Sequence, residues 1–327
     1  MSDTASAQRP PRISIVVPTL NEREFLPVLV ESIEAQEFDD YEIVVADAGS
    51  QDGTQDYARE HGCRVVEGGM PARGRNAGAA AARGQFLFFL DSDVRLPPGF
   101  FSQAMEEIDY RFADLATCEA RPITEMAFDK LLFSFASTVT RLTVRTQPRA
   151  TGFCIIVTKR LFDRVGGFDE SIKLGEDHAF SKAAAEFRPL EFLTSTYIEV
   201  SVRRLEKEGR IAYMLKALHS DVHRRFVGEI RDDLIDYEFA HYDQAEDEQE
   251  HPSVVAKLDR WLLKADEGLR TLLENNADYA TTDTDQDLGE KLQEQLQQIE
   301  SGFRRRMRRR DRRDRRDRRK DSNSSKD

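Results

Sequence analysis

Short apolar runs set the rhythm of the N-terminal half of the chain. Arg12 to Pro18 and Tyr41 to Asp47 are β-branched stretches, and Gln85 to Leu90 is an unbroken apolar run. Runs of this length, apolar on both faces, predict buried parallel strands. Between the first two, Phe25, Leu26, Leu29, Val30 and Ile33 fall at helical spacing, and Arg73 to Ala82 is an alanine-rich run beside Gly74 and Gly84. Strand and helix therefore alternate, which implies right-handed βαβ crossovers and an α/β fold with a mainly parallel sheet covered by helices. In such sheets ligands bind at the carboxyl ends of the strands. The loops after Val17, Val45 and Leu90 are the places to look for chemistry.

Further along, Leu115 to Ala120 and Phe153 to Val157 read as strands, with an amphipathic stretch from Met126 to Val144 between them. On that stretch Phe128, Leu131, Leu132, Phe135, Ala136, Val139 and Leu142 share one side of a helix flanked by Lys130, Arg141 and Arg145. The first reading of such a stripe is core packing, and the alternative is a helix lying in a membrane interface. The fold is expected to continue to about residue 202. From Glu208 onward the pattern is of helices broken by polar linkers, including the acid-rich Asp243 to Pro252 and the stretch Asp278 to Asp287. The expected organisation is a loose arm at 1–11, an α/β domain at 12–228, a helical extension at 229–303 and a basic tail at 304–327. Trp261, Leu262, Leu263, Leu269, Leu272 and Leu273 could form one apolar helical face, suited to a homo-oligomer contact.

Composition narrows the class. With 327 residues, 39% hydrophobic and 33% charged, the chain can bury a large core, which excludes a collagen-like, wholly disordered or multispanning protein. No apolar run approaches the ~20 residues of a membrane span, and Met1 to Arg12 has no apolar signal core, so a cytoplasmic protein is expected, with peripheral attachment to the inner face of the cell membrane as an option. Cys63, Cys118 and Cys154 are widely spaced and read as buried thiols in a reducing compartment. The net charge of -12 hides an asymmetry, because residues 304–327 hold 14 Lys and Arg against five Asp. An acidic body is a poor partner for nucleic acid, whereas the Arg-rich tail suits an anionic membrane surface.

Each of the three strand-end loops carries oxygen ligands. The first reads Val17-Pro18-Thr19-Leu20-Asn21-Glu22, the second Asp47-Ala48-Gly49-Ser50-Gln51-Asp52-Gly53-Thr54, and the third Leu90-Asp91-Ser92-Asp93. A carboxylate in the second loop can accept hydrogen bonds from a base or ribose, although Asp47 and Asp52 would also serve as helix caps. Two carboxylates one residue apart, as in Asp91 and Asp93, suit hard Mg²⁺ or Mn²⁺ bridging to a diphosphate. Arg73 and Arg75 stand between the second and third loops. Downstream, Glu176-Asp177 fits the acidic first turn of a helix running to Ala185. His219 and His223, four apart, could bring an imidazole toward a metal.

Taken together, VVPTLNE, EIVVADAGSQDGT, ARGRNAGAAAARG and FLFFLDSDVRLPPG over residues 13–99 resemble the nucleotide-sugar-binding half of family 2 glycosyltransferases of GT-A fold. Gly152-Phe153-Cys154, Val165 to Glu170 and Gly175 to His178 are similar to that family's acceptor-side elements, so the likeness covers about residues 13–205. The resemblance implies a Rossmann-like GT-A domain and an inverting, metal-assisted sugar transfer from a nucleoside-diphosphate sugar to a hydroxyl on a lipid-linked or surface glycan precursor. It also implies roles: Pro18, Leu20 and Glu22 line the nucleoside pocket, Asp47 faces the base, Arg75 contacts the donor, Asp91, Ser92 and Asp93 form the metal and ribose-diphosphate motif, and Asp177 is the general base. One departure stands out. Polysaccharide-extending members carry Gln-x-x-Arg-Trp after the base, whereas this chain has Ser201-Val202-Arg203-Arg204-Leu205, which argues for single-sugar transfer and leaves Arg203 and Arg204 as a surface pair or as diphosphate contacts. Competing expectations are transfer to a polyprenyl phosphate, whose ionised acceptor needs no base, and a nucleotide-binding adaptor without turnover.

Overall fold

The structure, a computed structural model, describes residues 9–210 together with 213 and 229. The expected basic tail, His219, His223 and the Trp261 face lie outside the described residues, as does all but one residue of the helical extension.

The chain order is β1 (Ile13–Thr19), α1 (Leu26–Glu34), β2 (Tyr41–Asp47), α2 (Thr54–Glu60), β3 (Arg64–Glu67), α3 (Pro71–Ala81), β4 (Phe86–Phe89), β5 (Val94–Arg95), α4 (Phe100–Arg111), β6 (Leu115–Ile123), α5 (Ala127–Thr143), β7 (Ile155–Thr158), α6 (Lys159–Val165), α7 (Glu176–Ala185), β8 (Leu190–Ser201) and α8 (Arg203–Glu208). The eight strands form one sheet in the order β3-β2-β1-β4-β7-β6-β8-β5. β3, β2, β1 and β4 run parallel, β7 is antiparallel to both β4 and β6, and β8 runs parallel to β6. The carboxyl ends of β1, β2, β4, β6 and β8 therefore open on the same edge, which gathers loops far apart in sequence.

Burial explains the unbroken apolar runs. All seven residues of β1 and all four of β4 are buried, because these central strands are covered on both faces. Their side chains alternate between two cores: Ile15, Val17 and Phe88 join one, with Leu29, Phe100 and Phe101, while Val16, Leu87 and Phe89 join the other, with Phe162, Phe168 and Phe180. Aromatic rings fill both. Phe88 meets Phe101 edge-on at 5.8 Å, and Phe89 meets Phe168 edge-on at 5.1 Å.

Small residues decide how closely α3 approaches the sheet. A Cβ on Gly78 would collide with Val16 Cγ1, and one on Gly74 would stand 3.2 Å from Pro18 Cβ. This close approach carries Arg75, one residue after Gly74, under the carboxyl edge.

Two features differ from the sequence reading. The 12-residue β8 was not foreseen, because its outer positions are polar and it carries an irregularity opposite Cys118 and Glu119. On α5 the expected core stripe is only half inward: Phe128 is buried and Phe133 packs against the core, but Leu131, Phe135, Val139 and Leu142 are exposed. The helix lies along β6, and no further layer of described residues covers its outer side.

Candidate active site

At the carboxyl edge two loops are first stitched to each other. Asn21 takes the left-handed conformation (φ 55°), a strain that asparagine tolerates better than most residues. Its N–H donates to Ser50 Oγ at 2.7 Å and its Oδ1 accepts from Gln51 N–H at 3.0 Å. Glu22 N–H donates to Thr54 Oγ1, and Arg23 N–H to Asp52 Oδ2, each at 2.9 Å. Asp52 thus acts as a loop brace, accepting also from Thr54 N–H.

Asp47 is the buried pivot of this arrangement. It accepts from Thr19 Oγ1 (2.9 Å), Gly49 N–H (3.0 Å), Ser50 N–H (2.8 Å), Ser50 Oγ (2.5 Å) and Gln55 Nε2 (2.6 Å). Burial alone would push its carboxyl up, but these donors, Ser50 foremost, outweigh burial and hold it below the ordinary range. Both oxygens are engaged in shaping the loop, so contact with a base from this position requires an exchange of partners.

The remaining carboxylates are joined by two arginines. Arg75, almost wholly buried, donates through Nη2 to Asp91 Oδ1 at 2.9 Å and through Nη1 to Glu176 Oε1 at 2.5 Å. Its Nε is buried with no hydrogen-bond acceptor among the described residues. Arg203, just past the end of β8, grips Glu22 through both Nη atoms at 2.9 Å each and Asp93 Oδ2 through Nε at 2.8 Å, with its guanidinium 4.1 Å above the Phe25 ring. The short β5–β8 ladder makes this contact, since Ser201 N–H donates to Asp93 O at 3.0 Å and sets the end of β8 beside the third loop. Ser92 is buried between the two acids.

The charge balance perturbs these groups in one direction. Burial raises the carboxyl of Glu22 despite Arg203. It raises Asp91 despite Arg75, with Asp93 adding repulsion, and it raises Glu176 despite Arg75, with Asp177 adding repulsion. Buried acids raised in this way occur at functional sites and in structural ion-pair networks alike, and here the network is the one held by Arg75 and Arg203.

Asp177 opens α7. Its Oδ2 accepts from Gly152 N–H at 2.7 Å and its Oδ1 from its neighbour His178 N–H at 2.8 Å. Gly152 is the joint between the two halves of the crevice: a Cβ there would lie 2.5 Å from Arg75 Nη2 and 3.4 Å from Asp91 Oδ2. The loop that orients Asp177 thus rests directly on Arg75 and Asp91.

The structure brings Glu22, Arg75, Asp91, Ser92, Asp93 and Asp177 to one crevice. Pro18 packs on Gly74 in the wall, Leu20 is half-buried at the rim, and Asp47 stands one loop away. Sequence reasoning, which left Arg203 as a surface residue or a diphosphate contact, missed its pairing with Glu22 and Asp93, Glu176 as a partner of Arg75, and Gly152 as the joint. The alternation of Ile198, Val200 and Val202 immediately before Arg203 was the available signal, since it marks a strand ending at the same edge.

Asp91 and Asp93 suit a hard divalent cation by chemistry. One oxygen of each is taken by an arginine, and the other accepts no hydrogen bond among the described residues. No set of three His, Cys, Asp or Glu side chains among those residues is placed to hold a metal ion, so two protein carboxylates would leave most of the coordination shell to ligand and water oxygens. No described helix is long and apolar enough to cross a membrane.

Residues 14–165 match the profile of Glycosyl transferase family 2. Poly(ribitol-phosphate) beta-N-acetylglucosaminyltransferase TarS of Staphylococcus aureus is 26% identical over 245 residues, covering 71% of this chain and 42% of TarS. The uncharacterized glycosyltransferase EpsJ of Bacillus subtilis is 28% identical over 204 residues, covering 55% of this chain and 57% of EpsJ. The chain spans about half the length of these curated relatives. Among solved structures, the mannosyltransferase PcManGT of Pyrobaculum calidifontis, in complex with GDP-Man and Mn²⁺, superposes with a TM-score of 0.50 at 20% identity, over 65% of each chain. That likeness establishes the GT-A fold, with a curled mixed sheet flanked by helices.

Proposed function

We propose, for a chain whose residues 14–165 match the Glycosyl transferase family 2 model, that the crevice transfers a single sugar, with inversion, from a nucleoside-diphosphate sugar to a hydroxyl acceptor, such as a lipid-linked or surface glycan precursor. The observation that carries this reading is the convergence, through Gly152, of the Asp91 and Asp93 pair with Asp177. A site for group transfer needs anion-binding capacity and a proton acceptor within one ligand's length, and these elements provide both.

The geometry is compatible with the roles that the resemblance implies. Asp177, held by two backbone N–H groups, is the base: it takes the proton of the acceptor hydroxyl as that oxygen bonds to the anomeric carbon, while the bond from that carbon to the diphosphate breaks. One displacement on the opposite face inverts the centre. Asp91 and Asp93 would hold Mg²⁺ or Mn²⁺, which supplies charge neutralisation on the departing diphosphate. Arg75 and Arg203 offset part of the burial that raises Asp91, Glu176 and Glu22 and hold these side chains in place, and each can turn part of its guanidinium to phosphate oxygens when the donor enters. The loops at Leu20–Glu22 and Asp47–Thr54 form the nucleoside side.

The test is transfer and donor hydrolysis measured side by side on the wild type, Asp177→Asn and Asp93→Ala. Loss of both reactions in Asp93→Ala, with transfer lost in Asp177→Asn, is the expected result. Full transfer by Asp177→Asn would instead indicate an already ionised acceptor such as a polyprenyl phosphate. Absence of turnover from the wild type with every nucleotide sugar would indicate an adaptor.

A further inference from the structure

We propose that α5 is a membrane-docking helix, its outer stripe seated in the interfacial layer of an anionic bilayer. Leu131, Phe135, Val139 and Leu142 recur at four, four and three residues, so they form a single line along the helix, and they are 49%, 66%, 42% and 78% exposed. Four large apolar side chains on one line exceed the isolated exposures normal for a protein surface.

The helix is not a loose piece of core. Its inner side is fastened by Phe128, by Ser137 against the backbone of Ala120, and by the buried pair in which Arg210 donates to both oxygens of Asp129 at 2.7 and 2.9 Å. The outer stripe therefore faces outward by construction.

Charge selects the occupant. The chain holds 60 Asp and Glu against 48 Lys and Arg, yet residues 130–149 contain no acid and four basic residues, Lys130, Arg141, Arg145 and Arg149. Of the neighbouring acids, Asp129 is sealed against Arg210, and the exposed Glu125 pairs with Lys130 at 3.3 Å. Arg141 makes no ion pair among the described residues. At the far end of the helix Arg145 and Arg111 share Glu191. This joins α5 to the segment bearing Tyr110 and Phe112, which are 84% and 92% exposed. An apolar line with cations beside it matches the depth profile of a bilayer with anionic headgroups. A second copy docked through the same face would match the line but set cation against cation at the rim, and an acidic peptide would match the rim but not the line.

This surface is separate from the donor crevice, and its test uses no donor, so its failure leaves the proposed activity standing. The full chain is sedimented with vesicles of phosphatidylcholine containing about one-third phosphatidylglycerol and with vesicles of phosphatidylcholine alone, and amide hydrogen exchange is followed over 127–143. Partition into the anionic vesicles is expected, with slowed exchange in α5. Phe135→Ser is expected to weaken it about tenfold, as is Leu142→Ser, each at an exposed position that leaves the circular dichroism spectrum unchanged. Binding that survives both substitutions and leaves exchange in α5 unaltered would overturn the proposal in favour of the Arg-rich 304–327. So would slowed exchange that depends on protein concentration without vesicles, which indicates self-association, and so would absence of binding.

Discussion

Replacing Arg203 by Met tests whether the clamp at the end of β8 organises the crevice. Glu22 loses both hydrogen bonds and Asp93 loses one. Removing one partner of a buried pair costs about 3–5 kcal/mol, and because 17% of the Arg203 side chain remains exposed the lower end applies, about 3 kcal/mol. For a domain of about 200 residues, 1 kcal/mol moves Tm by about 2–4 °C, so a drop of about 6–12 °C is expected in thermal unfolding of the full chain. The sign of its pH dependence follows from Glu22. Burial already raises this carboxyl above its ordinary value, and a raised group contributes most when protonated and loses that contribution as pH rises through its native pKa. Without Arg203 the pKa climbs further, so the deficit is widest near neutral pH and shrinks on acidification through the raised native pKa of Glu22. Adding Glu22→Gln removes the stranded charge and should recover at least half of the loss. A deficit under about 1 kcal/mol, or one unchanged by pH and by Glu22→Gln, would refute the reasoning.

Other substitutions separate the remaining parts. Asp177→Asn should lower sugar transfer at least about 100-fold while donor-induced thermal stabilisation persists, read by comparing product formation with melting shifts. Gly152→Ala puts a Cβ 2.5 Å from Arg75 Nη2, so it should cost about 1–3 kcal/mol in urea unfolding and weaken donor binding. Asp47, held below the ordinary carboxylate range, stabilises the fold above its unfolded pKa and loses that contribution as pH falls through its native one. Asp47→Asn should therefore be less stable than the wild type at pH 7 and flatter in its acid titration, as followed by fluorescence-detected unfolding from pH 7 to 3.

The N-terminal half was legible because its signals are local. β1, β2 and β4 are buried on both faces and so appear as apolar runs, and the acid-bearing loops follow each strand directly. The crevice was legible in part, since Asp91, Asp93, Arg75 and Asp177 were named from motifs and do meet. What the sequence concealed depends on pairings across long separations. The link from Arg203 to Glu22 spans 181 residues and that from Arg75 to Glu176 spans 101, and each exists only because the β6–β8 side of the sheet joins the β1–β4 half through β7. α5 misled for a different reason. A stripe pattern records that one side is apolar, not whether a protein layer covers it, and here Phe128 is buried while Leu142 is exposed.

Thermal melting of the full chain with UDP-, GDP- and dTDP-sugars, each with and without Mn²⁺, tests the central claim on the wild type and on Asp91→Asn/Asp93→Asn. One donor at about 100 times its Kd should stabilise the wild type by about 2.7 kcal/mol when Mn²⁺ is present, beyond any effect of Mn²⁺ alone, and should leave the double variant unmoved. Equal stabilisation without metal, stabilisation that persists in the variant, or no response to any donor would contradict it.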